Sequence, residues 1–272
     1  MSAPTVPARR RVLVRGELVH DLTAFTVTDP GFRLVLPTPL PTLVLRADAA
    51  ERVDLLSGER QELRSALCGP STRPWAVREP AGSRVTVLRL RPEALVRLGV
   101  GEPRALVDGT TAWEAVRAGV DAGSEGAAVP ETAAVPGDAG LDDGRALDRE
   151  LAARAMPRDP VLRQRLGEAV GLILAERGLV TAVDVARAAQ VPPSELFRLL
   201  DEAVGTGPEQ LAAAQRLRCT VRDAVPAGAP LGRVLTVLGD LRALPPRELL
   251  RLGLDHLGLE QLVRRGAALP LG

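Results

Sequence analysis

The spacing of apolar residues changes once along this chain, and that change limits what it can fold into. Between residues 11 and 92 they alternate with polar ones in short runs: "RVLV", "FTVTD", "FRLVLP", "TLVLRAD", "WAVREP" and "RVTVLRLRP". In "GFRLVLP", Phe32, Leu34 and Leu36 share one face; in "AFTVTD", Phe25 and Val27 oppose Thr26 and Thr28. A period of two predicts half-buried strands. Asp29-Pro30-Gly31, Pro37 to Pro41, Ser57-Gly58 and Ala81-Gly82 punctuate them as turns. Many short strands at close spacing favour a small barrel or sandwich over a parallel sheet. The last strand runs into a short helix, "PEALVRLG", opened by Pro92 and closed by Gly99.

From residue 159 onward the period becomes helical. Asp159 is placed to cap a helix that starts at Pro160 and stops at Gly178, with Leu162, Leu166, Val170, Ile173 and Leu174 on one stripe. Thr181, with Asp184 three residues on, has the form of a capping box for the next helix. Helices are predicted over 193–204, ending at Gly205, and over 208–225, followed by shorter ones at 231–238, 246–252 and 258–265. The fold class is therefore α+β with two domains: an N-terminal small β-barrel or sandwich and a C-terminal all-α helix-turn-helix domain.

Between the two patterns, "GVDAGSEGAAVPETAAVPGDAGLDDGRA" (119–146) is rich in Gly, Ala, Pro and acids and nearly free of large apolar side chains. Such a segment buries too little surface to offset its ordering entropy, so it is expected to be a flexible acidic linker. The expected organisation is residues 1–118 as a β-rich sensor or dimerisation domain, 119–146 as the linker, and 147–272 as the helical domain.

Charge narrows the function classes. All 35 basic residues are Arg. Residues 1–100 hold 15 Arg against 10 acids, 101–150 hold 4 against 11, and 151–272 hold 16 against 13. No region is strongly basic, so composition alone supports nucleic-acid binding only weakly. Cys68 and Cys219 form neither a metal spacing nor a disulfide framework, which fits a cytoplasmic protein. "MSAPTVPARRRVLV" lacks the apolar stretch of a secretion signal, and no run approaches a membrane span. His20 and His256 have no companions that suggest a metal site or triad. The expectation is a protein that is not an enzyme, uses no cofactor or metal, and makes no membrane contact.

The helix order from 159 to 225 resembles the first half of an AraC-type DNA-binding domain, in which two helix-turn-helix units are joined by a long helix. Ala186, Val191, Pro193 and Leu196 stand at its packing and turn positions. "AVGTGPEQLAAAQRLR" is similar to its Gly-x-x-Pro segment and Arg-bearing linker helix, through Gly205, Pro208, Arg216 and Arg218. Ahead of it, Gly69, Pro70, Thr72, Arg73, Pro74, Arg91, Pro92, Leu98 and Gly99 resemble the sensor domain of one AraC-like subgroup. The chain departs from the pattern at Gln190, where a turn Gly is usual. It also departs in its second unit, which keeps Gly239 but lacks the aromatic and is split by Pro245-Pro246, and so reads as degenerate.

The resemblance implies a transcription regulator that binds double-stranded DNA, senses a small-molecule effector or a partner, and forms a homodimer. It places Ser194, Glu195 and Arg198 toward base edges and Arg216 and Arg218 at the DNA. Glu195 could accept from cytosine and Arg198 could fork to guanine. Arg73 and Trp75 are the candidates for effector contact, while Leu196, Phe197 and Ala186 are expected in the core. The 193–204 helix, however, carries Glu195, Asp201 and Glu202 against Arg198 alone. That acidity points to an alternative, an interaction protein that keeps the helix-turn-helix scaffold with weak or lost DNA binding.

Overall fold

A computed structural model describes residues 10–13, 16–28, 30–123, 141–154, 159–226 and 229–269. The alternating region forms ten strands among these residues: β1 (Arg10–Leu13), β2 (Val19–Thr26), β3 (Arg33–Val35), β4 (Thr42–Arg46), β5 (Ala50–Asp54), β6 (Arg60–Leu63), β7 (Ala66–Cys68), β8 (Trp75–Arg78), β9 (Arg84–Leu90) and β10 (Thr110–Ala112). They make two antiparallel sheets, ordered β1-β2-β9-β4-β7-β10 and β3-β8-β5-β6. Neither closes into a barrel, so of the two expected forms the sandwich-like one is adopted.

The larger sheet buries both faces. On β9, Leu88 and Leu90 join a core with Leu18, Leu22 and Leu95, while Val85 and Val87 turn to the opposite side with Val44 and Cys68. The short helix α1 (Ala94–Arg97) and helix α2 (Trp113–Gly123) follow the strands. Helix α3 (Leu141–Arg154) then packs on the larger sheet through Leu147 and Leu151. Its Asp148 carboxylate accepts the N–H groups of Glu17, Leu18 and Val19 at 2.7, 2.8 and 2.7 Å. Of the expected linker, residues 124–140 lie outside the described residues, and α2 and α3 take its two ends. The expected boundary at 147 falls inside α3.

The helical region follows its caps. Helix α4 (Pro160–Ala175) is capped by the Asp159 carboxylate, which accepts from the Val161 N–H. Helix α5 (Ala182–Ala188) opens on the reciprocal Thr181–Asp184 box, and α6 (Pro193–Val204) ends at Gly205 with φ +82°. Gln190, in the turn between them, holds φ +55°, a left-handed conformation that Gly adopts without strain. Then come α7 (Pro208–Ala224), α8 (Leu231–Asp240), α9 (Pro246–Arg251) and α10 (His256–Ala267). The last begins two residues earlier than its apolar pattern because the Asp255 side chain caps it at Gly258 N–H. No helix among the described residues is long and apolar enough to cross a membrane.

The β and helical regions share a core. Phe32, Val53, Leu55 and Ala76 pack with Leu217, Val221, Leu235, Leu238 and Leu262, and Leu34 and Leu36 lie against them. The face predicted on "GFRLVLP" is thus the one covered by helices. A second contact lies at Gly205, where a Cβ would sit 2.5 Å from the Arg104 backbone. The helical unit is seated on the sheets by apolar packing.

Replacing Asp148 with Ala would leave three N–H groups unsatisfied, those of Leu18 and Val19 buried and that of Glu17 part-buried. A loss of about 3 kcal/mol is expected from the cost of orphaned donors. A urea unfolding midpoint that does not move would contradict this anchoring role.

Candidate nucleic-acid face and ligand cavity

Helix α6 buries Leu196, Leu199, Leu200, Ala203 and Val204, the stripe that its i, i+3, i+4 spacing sets. Ser194, Glu195 and Arg198 lie off that stripe, on its outer side. They are together, and the two charged ones already have partners. Glu195 accepts from Arg165 of α4 at 3.1 Å, and Arg198 pairs with Glu202 at 3.1 Å while its side chain stays 64% exposed. Phe197 is a correction to the expected core: it is 42% exposed, because it stands one residue, about 100° of helix turn, beside Leu196. Its ring borders Gly207.

Arg216 and Arg218 are turned inward from this face. The Arg216 guanidinium donates to the Gly178 carbonyl at 2.6 Å and to the Arg251 carbonyl at 2.5 Å. It therefore clips α7 to the ends of both α4 and α9, and burial holds its pKa below the usual value, with Arg251 adding to the effect. Arg218 donates to the Pro37 carbonyl at 3.2 Å, across the junction with the sheets. In the second unit, α9 is only six residues long and starts at the Pro245-Pro246 break. Arg251 pairs with Glu248 there, and the Arg247 side chain is 83% exposed.

The two sheets and α7 enclose a cavity of about 280 Å³. Its apolar wall includes Leu34, Val44, Val77 and Val87 from the strands and Val221, Val225 and Val234 from α7 and α8. Six arginines (Arg33, Arg46, Arg52, Arg89, Arg218 and Arg222) and three carboxylates (Asp21, Glu79 and Asp108) line it. Asp21 forms a forked pair with Arg89. Arg46 pairs with Glu79 at 3.4 Å, both buried. Arg52 stacks over Trp75 at 4.8 Å and donates to the Asp108 carbonyl at 2.6 Å. Arg33 lies over Phe25 at 6.0 Å.

Of the two residues singled out for effector contact, Trp75 is a cavity wall, and Arg73 sits beside the cavity without lining it. Arg73 pairs with Asp54 at 3.1 Å. Burial alone would raise the Asp54 pKa, but the Ser57 and Leu56 N–H groups and Arg73 outweigh it and hold the carboxyl below its usual range. The cavity arginines had no separate signature in the sequence. Arg33, Arg46, Arg52 and Arg89 lie on strands and Arg218 and Arg222 on α7, brought to one cavity only by the fold.

Two buried groups give pH-dependent expectations. Cys68 lines the cavity, and burial pushes its thiol up to about 11 against the pull of Arg46 and Arg52. In native protein at about pH 8, iodoacetamide is expected to spare Cys68 and to modify it after unfolding. Peptide mass spectrometry showing Cys68 alkylated in the native state would contradict this. Glu93, at the start of α1, has neither carboxylate oxygen hydrogen-bonded among the described residues. Burial raises its pKa above 4.5, with Arg91, Arg97 and Arg163 opposing. The folded state thus holds this proton more tightly than the unfolded one, so stability falls as pH rises above the ordinary carboxylate range. Glu93→Gln is expected to raise the melting temperature at pH 7 and to flatten its decline with pH; a lower melting temperature at pH 7 would refute that.

No family model matches the chain, and no curated protein does. Among solved structures, ToxT from Vibrio cholerae is similar at 7% identity and a TM-score of 0.38, over 95% of this chain and 94% of that one. A ToxT structure with bound unsaturated fatty acid is similar at 9% identity and a TM-score of 0.40, over 87% of each chain. The AraC-like transcriptional activator CuxR is similar at 12% identity and a TM-score of 0.32, over 79% of each. At such identities and TM-scores the likeness is distant and assigns no function.

Proposed function

We propose that this chain is a cytoplasmic DNA-binding transcription regulator of AraC-like type, with its N-terminal β unit receiving a small-molecule effector. One observation carries the reading: α7 joins the two sites. Its Val221 and Arg222, with Val225 just after it, wall the cavity, and its Arg216 holds carbonyls at the ends of α4 and α9. A ligand that binds one placement of α7 better than another shifts the relative placement of the two helical units. Ser194, Glu195 and Arg198 then form the face for base edges, with Arg198 leaving Glu202 to reach guanine. Arg216 and Arg218 supply positive charge behind it, through the helix that the effector touches.

The pairing of both charged residues on the α6 face favours a second reading. In it the scaffold serves protein interaction, and DNA affinity is weak or lost.

Anisotropy of labelled duplex from upstream of the chain's own gene, across a salt series, separates the two. A regulator should show log K falling with log salt by several units, about −0.9 per phosphate contacted. Arg198→Ala should relax sequence preference by roughly tenfold, within the range of about 1–3 kcal/mol per bidentate base contact. Absence of binding even at low salt would leave the interaction reading.

A further inference from the structure

We propose that the cavity takes a small oxyanion, a carboxylate or a phosphate ester on a short apolar body, with the oxyanion held between Arg46 and Arg52. The inference rests on the reading of this cavity as the effector site and names the ligand's class. Three observations converge on it.

The first is an unbalanced buried charge. Arg52 is 6% exposed, and its partners are a backbone carbonyl and the Trp75 ring, with no carboxylate among the described residues within ion-pair distance. A buried guanidinium normally requires a counter-ion. The second is an open donor. Arg46 is also buried, and its Nε has no hydrogen-bond partner among the described residues. Glu79, at 3.4 Å from the far end of the Arg46 guanidinium, is the one carboxylate within ion-pair distance of either arginine among the described residues. The third is proximity. Arg46 and Arg52 both line the same cavity, together with Cys68 and Trp75.

Two buried guanidiniums with a single ion-paired carboxylate between them in the charge balance leave a place for one more anion, and forked N–H donors suit an oxyanion. Elsewhere on the wall, Leu34, Val44, Val77, Val87, Val221 and Val225 give an apolar stretch, which suits an uncharged hydrocarbon body. A volume of about 280 Å³ lies just below the range of ligand pockets, which span roughly 300–1,000 Å³, so that body is short.

Isothermal titration of the full chain with sodium octanoate, octyl phosphate and octanol tests this without DNA. At least one of the two acids is expected to bind tenfold or more tighter than octanol, and the tighter one identifies the head group. Arg52→Gln and Arg46→Gln should each weaken that acid at least tenfold and leave octanol unchanged. Glu79→Gln, which removes the competing carboxylate, should tighten the acid several-fold. The inference is overturned if octanol binds as tightly as the acids, if no probe binds, or if a folded Arg52→Gln variant keeps full affinity for the acid. Where the arginine variants do not fold, Glu79→Gln decides: unchanged or weaker acid binding overturns it. Any of these failures leaves the DNA titration standing, because an uncharged effector would act on α7 through the same wall.

Discussion

The rest of the structure depends on one apolar contact, the packing of the smaller sheet's outer face on α7, α8 and α10. Phe32, Val53 and Leu55, with Leu34 and Leu36 against them, share one buried cluster with Leu231, Leu235, Leu238, Leu259 and Leu262 of the helices after α7. Each side therefore completes the other, as layer packing requires. Because α7 is shared, its first half belongs to the helix-turn-helix core through Leu211 and Ala212, and its second half belongs to the seam through Leu217, Val221 and Val225. That division places the cavity and the helical units on one rigid element.

The cavity follows from the side chains available. The chain has three Phe, two Trp and no Tyr. Valine and leucine fill the layers of the sandwich, and where the sheets and α7 diverge the inward positions are taken by arginines. Their long stems pack along apolar surface while the guanidiniums gather in the gap. Polar groups so placed are costly unless each is satisfied. Most of them are: Arg89 by Asp21, Arg218 by backbone carbonyls, Arg46 in part by Glu79.

Much of the fold was legible in the sequence where a local rule decides. The alternation of Phe32, Leu34 and Leu36, the caps at Asp159 and Thr181, and the stop at Gly205 are each set by neighbours within a few residues. What covers a face is a long-range fact, and nothing in "GFRLVLP" says that α8 lies over it. The shared seam has no local trace in the sequence for that reason. The candidate site was legible in part. Ser194, Glu195 and Arg198 share a face because helical spacing dictates it. The partners that hold Arg216 and Arg218 come from residues up to 182 positions away. Arg46 and Arg52 reach the cavity beside Cys68 only once the strands are paired, and no local rule marks them. At Gln190 the turn keeps its left-handed backbone without the usual Gly, so the shape of the turn is set by the helices on either side.

The central claim is that sheets and helices form one cooperative body through the seam. Native-state hydrogen exchange on the Phe32→Ala variant tests it most directly. The account predicts that amides of β5 and β8 and amides of α7 and α8 lose protection together, by similar opening free energies. Loss confined to the strands, with the helices protected as before, would contradict it.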